Sequence, residues 1–162
     1  MLNCPIHSVA PLLPHSGAMV LLDQIAEYDD THLVAYADIT ERHLFVVDGQ
    51  LPLIGAIEIM AQGVAALAGC WAHDRGEPVQ LGFLLGSRKY ELFAASVPVG
   101  SRLKISVTAS LQDSNGFGVF DAALFWVSGP LDLPPQHLLA QAKLNVFSPP
   151  DVAAYLQQEV ST

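Results

Sequence analysis

Glu58 is the one charged residue in the 22-residue stretch from 51 to 72, LPLIGAIEIMAQGVAALAGCWA. An ionised carboxylate in apolar surroundings costs on the order of several kcal/mol unless it is paired. Such a group is either a structural partner in the core or an acid or base in a site. Gln62 follows four residues later, so it shares a helical face with Glu58. Six histidines could supply a base. His15, in the Pro-punctuated N-terminal segment, and His43, in the loop before the apolar stretch, are the candidates. His7 and His137 read as surface residues. His32 at a strand start and His73 at the helix end read as structural, the latter suiting the helix dipole. No pair has metal-ligand spacing with a third ligand nearby, so no metal site is expected.

These residues need elements to hold them. The stretch 51–72 is long and apolar enough for a membrane span. Glu58 and Gln62 near its middle argue against that, as does the lack of flanking cations other than Arg75. It is too long for a strand. A helix buried all round is expected, starting near Pro52 and ending near Gly76. Gly55, Gly63 and Gly69 would let other backbones approach closely.

Residues 1–17 are irregular. Strands are expected at 18–28 and 32–40, joined by a turn at Asp29–Asp30. The loop 41–52 leads into the helix, with Asp48 beside Gly49 as a turn. Four more strands are expected at 80–94, 102–112, 117–127 and 137–147. Asn115–Gly116 is a hairpin signal. Residues 103–111 alternate, so that strand is wet on one face. Asp151 opens a short helix over 151–158. This order predicts one α+β domain over residues 1–162, an antiparallel sheet wrapped around one long buried helix. The sheet's uncovered edge invites a second copy.

Composition narrows the function classes. Hydrophobic residues make up 51% and charged residues 14%, which suggests an oligomer interface. The net charge of −9 argues against nucleic acid as a partner. Four of the seven cations form two pairs, Arg88/Lys89 and Arg102/Lys104. They read as a solvated strand face or as a basic patch for an anionic partner. Cys4 and Cys70 do not make a disulfide framework, and Cys70 reads as a small core residue. The N-terminus lacks the basic and apolar regions of a secretory signal, so a cytoplasmic protein is expected.

Four segments, in order, resemble the 3-hydroxyacyl-acyl-carrier-protein dehydratases of the hotdog fold. Leu13-Pro14-His15-Ser16-Gly17-Ala18-Met19-Val20-Leu21-Leu22-Asp23 resembles their "LPHR…ΦLLVD" opening. Ile57-Glu58-Ile59-Met60-Ala61-Gln62 resembles the helix motif "IEALAQ". Ser96-Val97-Pro98-Val99-Gly100-Ser101-Arg102-Leu103 resembles the "PVVPGDQL" turn. Ala140-Gln141-Ala142-Lys143-Leu144 resembles the closing "AEA" strand. The nearest subgroup is the dehydratase-like proteins of aryl-polyene clusters, which share "LLPHxGxMVLLD", "GIExMAQ" and "GFLLGxRxYEL". The last matches residues 82–92.

The resemblance implies a dimer with sites at the subunit interface. The substrate is a 3-hydroxyacyl thioester on the phosphopantetheine of an acyl carrier protein, and no cofactor is needed. A His takes the C2 proton, the helix carboxyl protonates the 3-hydroxyl, and the helix N-terminus stabilises the enolate. Glu58 carries over as the acid, with Gln62 orienting it or touching substrate. The standard motif "GHFPGxPΦMPGΦΦΦΦE" places its His on Leu44 when aligned back from Glu58, with His43 one residue away. Aligned on "GHFP", the His falls on Gln50. Gln50, Gly55, Phe83, Leu84, Gly86 and Arg88 are the expected substrate-side residues. Three readings follow. The chain is a dehydratase with Glu58 as acid and His43 or His15 as base. Or it is a non-catalytic subunit that pairs with an active dehydratase, which supplies the His; the assembly is a homodimer or a heterodimer with a second dehydratase-like subunit. Or it is an acyl thioesterase using the carboxylate and a water.

Overall fold

The computed structural model describes residues 1–161. In chain order the elements are β1 (Gln24–Tyr28), β2 (His32–Asp38), β3 (Gln50–Pro52), α1 (Ala56–Asp74), β4 (Phe83–Leu92), β5 (Ser96–Pro98), β6 (Arg102–Gln112), β7 (Phe117–Ser128), β8 (His137–Phe147) and α2 (Val152–Val160). Six strands form one antiparallel sheet in the order β1-β2-β6-β7-β8-β4. Alternation decides which face turns inward. Leu103, Ile105 and Val107 of β6 and Phe120, Ala122, Leu124 and Trp126 of β7 are buried. The residues between them face solvent or are half-buried.

The sheet wraps α1, the arrangement of the hotdog fold expected from the sequence. Ile59, Met60, Leu67 and Cys70 on α1 are fully buried. Gly63 lets the helix approach β6, since a Cβ there would lie 2.9 Å from Val107 Cγ2 and 3.0 Å from Ile105 Cγ2. The helix over Leu53–Asp74 is long and apolar enough to cross a membrane, yet it packs inside this sheet.

Three expectations are corrected. The helix is not buried all round. Glu58 and Ala68 are exposed and Ala61 and Ala65 half-buried, because the sheet covers only the opposite side of α1. The first strand begins at Gln24, not at residue 18. A 3-10 turn occupies Gly17–Met19, and the N–H groups of Leu21 and Leu22 bond the Gln62 side chain and so are withheld from a ladder. The loop 41–52 also hides a strand. β3 pairs with β5 in a separate two-stranded sheet, too short for periodicity to reveal.

Turn chemistry behaved as read. Asp48 and Gly49 both have positive φ (51° and 72°), between Val47 and Gln50, whose backbones bond each other. Asp113 Oδ1 accepts from Asn115 N and Phe117 N and closes the β6–β7 hairpin. Asp151 caps α2 by accepting from Ala154 N at 3.0 Å.

Candidate active site

A groove of about 410 Å³ runs along the open side of α1. Its floor is the helix face that carries Glu58, Ala61, Ala65, Ala68 and Ala72, a repeat of three or four residues. The short side chains leave room that the sheet does not fill. Pro14 and His15 border it on the N-terminal side, and Leu81, Phe83 and Leu84 on the β4 side. Phe120 and Val146 supply apolar wall from the sheet.

Glu58 therefore stands in solvent in the single chain, at the first turn of α1. The expectation of a buried carboxylate is replaced by that of a carboxylate on an open groove. His15 is half-buried, and its Nδ1 is buried without a hydrogen-bond partner. It and Glu58 line the same groove.

His43 lies elsewhere. Its ring packs 6.1 Å from that of Phe45, and Nδ1 accepts from Phe45 N at 3.3 Å. Nε2 is buried without a partner. Burial pushes its pKa below the usual imidazole range, and the charge of Asp23 opposes that only in part. His43 is not among the groove-lining residues.

Gln62 is 3% exposed and lines the groove together with Glu58 and His15. Its Oε1 accepts from Leu21 N at 2.6 Å and Leu22 N at 3.2 Å, and Nε2 donates to Met19 O at 2.8 Å. The amide holds the N-terminal segment, and no bond joins it to Glu58 among the described residues. Gln50 lies on β3, where its Oε1 accepts from Ser96 Oγ at 3.1 Å. Gly55 is the residue before α1 and faces Phe45. Phe83 and Leu84 reach the groove, whereas Gly86 follows a bulge in β4 and has open space around it.

Arg88 pairs across the ladder with Lys143, outside the groove. The two basic pairs do not form one patch, because β4 and β6 lie three strands apart in the sheet. Arg102 bonds Asp38 at 2.7 Å and stacks 4.6 Å from the centre of the Tyr36 ring. Lys104 lies 4.5 Å over Phe125. Among the described residues no group of three or more His, Cys, Asp or Glu could hold a metal ion.

Tyr90 is the residue that sequence reasoning missed. Its hydroxyl accepts from Ile57 N at 3.1 Å and lies 2.8 Å from Leu53 O. It ties β4 to the start of α1, one residue before Glu58. Its presence in the "GFLLGxRxYEL" segment was the available signal.

A helix inside a curled sheet, with a carboxylate at its first turn beside a groove, is the arrangement of a hotdog protein. Solved structures agree. The dehydratase heterocomplex ApeI:P from Xenorhabdus doucetiae matches at 29% identity with a TM-score of 0.85, over 99% of this chain and 100% of that one. A hypothetical thioesterase with coenzyme A from Streptococcus pneumoniae is similar in fold at 14% identity and TM-score 0.57, covering 76% of this chain and 86% of that one. So is the E. coli PaaI protein from the phenylacetic acid degradation operon, at 11% identity and TM-score 0.55, over 76% and 80%. A comparison with curated proteins finds no match. The profile of the ApeP-like dehydratases matches residues 7–157. The chain belongs to that family and is a dehydratase-like hotdog protein of aryl-polyene synthesis.

Proposed function

We propose that this chain supplies the acid of a 3-hydroxyacyl-thioester dehydratase, working in the cytoplasm as a single hotdog domain in a heterodimer with a second dehydratase-like subunit. The observation that carries this reading is the exposed carboxyl of Glu58 at the first turn of α1, on a groove that also holds His15. The 3-hydroxyacyl group, on the phosphopantetheine of an acyl carrier protein, lies along the alanine floor. A base takes the C2 proton. Glu58 gives its proton to the 3-hydroxyl, the C3–O bond breaks, and water leaves with formation of the 2,3-enoyl thioester. The positive end of the α1 dipole faces the thioester carbonyl as negative charge develops there.

The base has two sources. His15 shares the groove with Glu58, which favours it over His43 within this chain. The similar ApeI:P structure is a dehydratase heterocomplex, which favours a histidine from the partner. A subunit closing over the groove would also exclude water from around Glu58.

The test follows 2,3-enoyl thioester formation by this chain alone and mixed with the dehydratase-like partner. Turnover only in the mixture, lost about 10²–10⁴-fold in Glu58→Gln with the fold retained, is the expected result. Full turnover in the Glu58→Gln mixture would remove Glu58 from the mechanism. Turnover by the isolated chain that vanishes in His15→Ala would make His15 the base.

A further inference from the structure

We infer that Gln62 is a positioning residue for His15: it locks the N-terminal strap whose His15 lines the same groove as Glu58. The inference rests on reading the groove as a dehydratase site. Residues 12–22 cross the side of α1 between two attachments. At one end the backbone of Leu12 lies directly on Gly69, where a Cβ would come within 1.9 Å of the Leu12 carbonyl oxygen. At the other end the Gln62 amide holds Met19, Leu21 and Leu22 with three hydrogen bonds. Gly69 and Gln62 are seven residues apart on one helix, about 10 Å along its axis.

His15 lies between these attachments. Leu12, Leu13, Leu21 and Leu22 are buried and anchor the strap on both sides, while residues 14–19 are exposed or half-buried. A 3-10 turn at Gly17–Met19, with Met19 N bonded to Ser16 O at 3.2 Å, links His15 to the Gln62 attachment. Among the described residues, Gln62 thus makes the only side-chain hydrogen bonds between α1 and residues 15–22. It is also one turn from Glu58 on the same helix. A single rigid element therefore sets the acid directly and the histidine through the strap.

The i, i+4 spacing has a different meaning here from the one read in the sequence. Among the described residues the Gln62 amide bonds Met19, Leu21 and Leu22 and not Glu58. It fixes the segment whose His15 shares the groove with Glu58. Misplacing a reacting group by about 1 Å can cost on the order of 10²-fold in rate.

The test uses the full chain with Gln62→Met, which keeps length and removes all three bonds. A second variant, Gln62→Glu, keeps the two acceptor contacts to Leu21 and Leu22. Hydrogen exchange at the Leu21 and Leu22 amides, carbethoxylation of His15, and dehydration in the mixture with the partner are measured. Expected for Gln62→Met are faster amide exchange, His15 carbethoxylation changed severalfold, and kcat lowered about 10–100-fold with KM within about twofold. Gln62→Glu should recover part of each effect, and it carries the test if Gln62→Met does not fold. Faster amide exchange with unchanged His15 reactivity and unchanged kcat would overturn the inference, leaving Gln62 a structural clamp only. If the wild-type mixture shows no dehydration, the proposed function falls. His15 reactivity then decides the inference alone, and an unchanged rate overturns it.

Discussion

Ile57 N–H donates to the Tyr90 hydroxyl at 3.1 Å, and that hydroxyl donates to the Leu53 carbonyl at 2.8 Å. The residue before α1, Gly55, offers no side-chain cap, so the phenol does the work of one from a neighbouring strand. Burial pushes the Tyr90 pKa up, and the Ile57 N–H only partly offsets this. The hydroxyl therefore stays a donor at neutral and mildly alkaline pH. Tyr90→Phe should cost about 1–3 kcal/mol, because it leaves the Ile57 N–H unpaired at the helix start, while the Leu53 carbonyl keeps the Ala56 N–H. Denaturant unfolding of both proteins checks this. Unchanged stability would mean that water replaces the hydroxyl at the Ile57 N–H.

The contact between Gly69 and Leu12 makes a second prediction. A methyl at Gly69 would sit 1.9 Å from a backbone oxygen, which cannot move without lifting the strap. Gly69→Ala should destabilise the fold by about 1–3 kcal/mol or more, despite alanine's better helix propensity. Gly86→Ala is the control, since nothing lies within 4 Å of a Cβ there. Melting temperatures should fall for the first and hold for the second.

These two contacts mark where sequence reading succeeded and where it stopped. The strands β6, β7 and β8, the Asn115–Gly116 hairpin and the Asp151 cap follow from local signals, and each appeared where expected. The motif order identified the family. The open face of α1 was not legible, because an alanine stripe looks equally apolar whether a sheet or a second subunit covers it. The hold of Gln62 on the N-terminal segment was not legible, because spacing along one helix cannot show a partner 40 or so residues away in sequence, the separation of its bonds to Leu21 and Leu22. Distinguishing His15 from His43 needed the route of the strap, which is tertiary information.

His43 gives a pH prediction. Its pKa is lowered in the folded chain, chiefly by burial. The unfolded chain therefore binds a proton more readily as pH falls through the ordinary imidazole range, about 6.5. Its contribution to stability is fully present above that value and is lost as pH falls toward the folded pKa. Unfolding free energy should drop between pH 7.5 and 5.5, and His43→Gln should flatten part of that slope. Identical slopes in urea titrations of the two proteins would assign the pH dependence to other groups.

The final prediction concerns the edge of the sheet. β4 is the terminal strand and pairs only with β8 among the described residues, so its other side offers unpaired backbone groups. Leu85 is 56% exposed, Phe93 49% and Ile54 75%, an apolar set around β4 and the start of α1. Leu84 and Leu85 are both exposed because a register shift between Leu84 and Gly86 interrupts the alternation. A second subunit pairing along β4 would cover this set. Tyr90 joins β4 to Leu53 and Ile57, so such a subunit would stand next to the first turn of α1, where Glu58 is. On this prediction the edge would be both the assembly surface and the route by which a partner's histidine reaches Glu58. The double change Leu85→Glu and Phe93→Glu should leave the chain folded, since both side chains are about half exposed, while abolishing association. Light scattering and circular dichroism on the same samples measure the two. In the dehydration assay the double variant should lose the gain in turnover on mixing with the partner. Intact association and intact turnover would move the interface away from β4 and break the link between assembly and the Glu58 site.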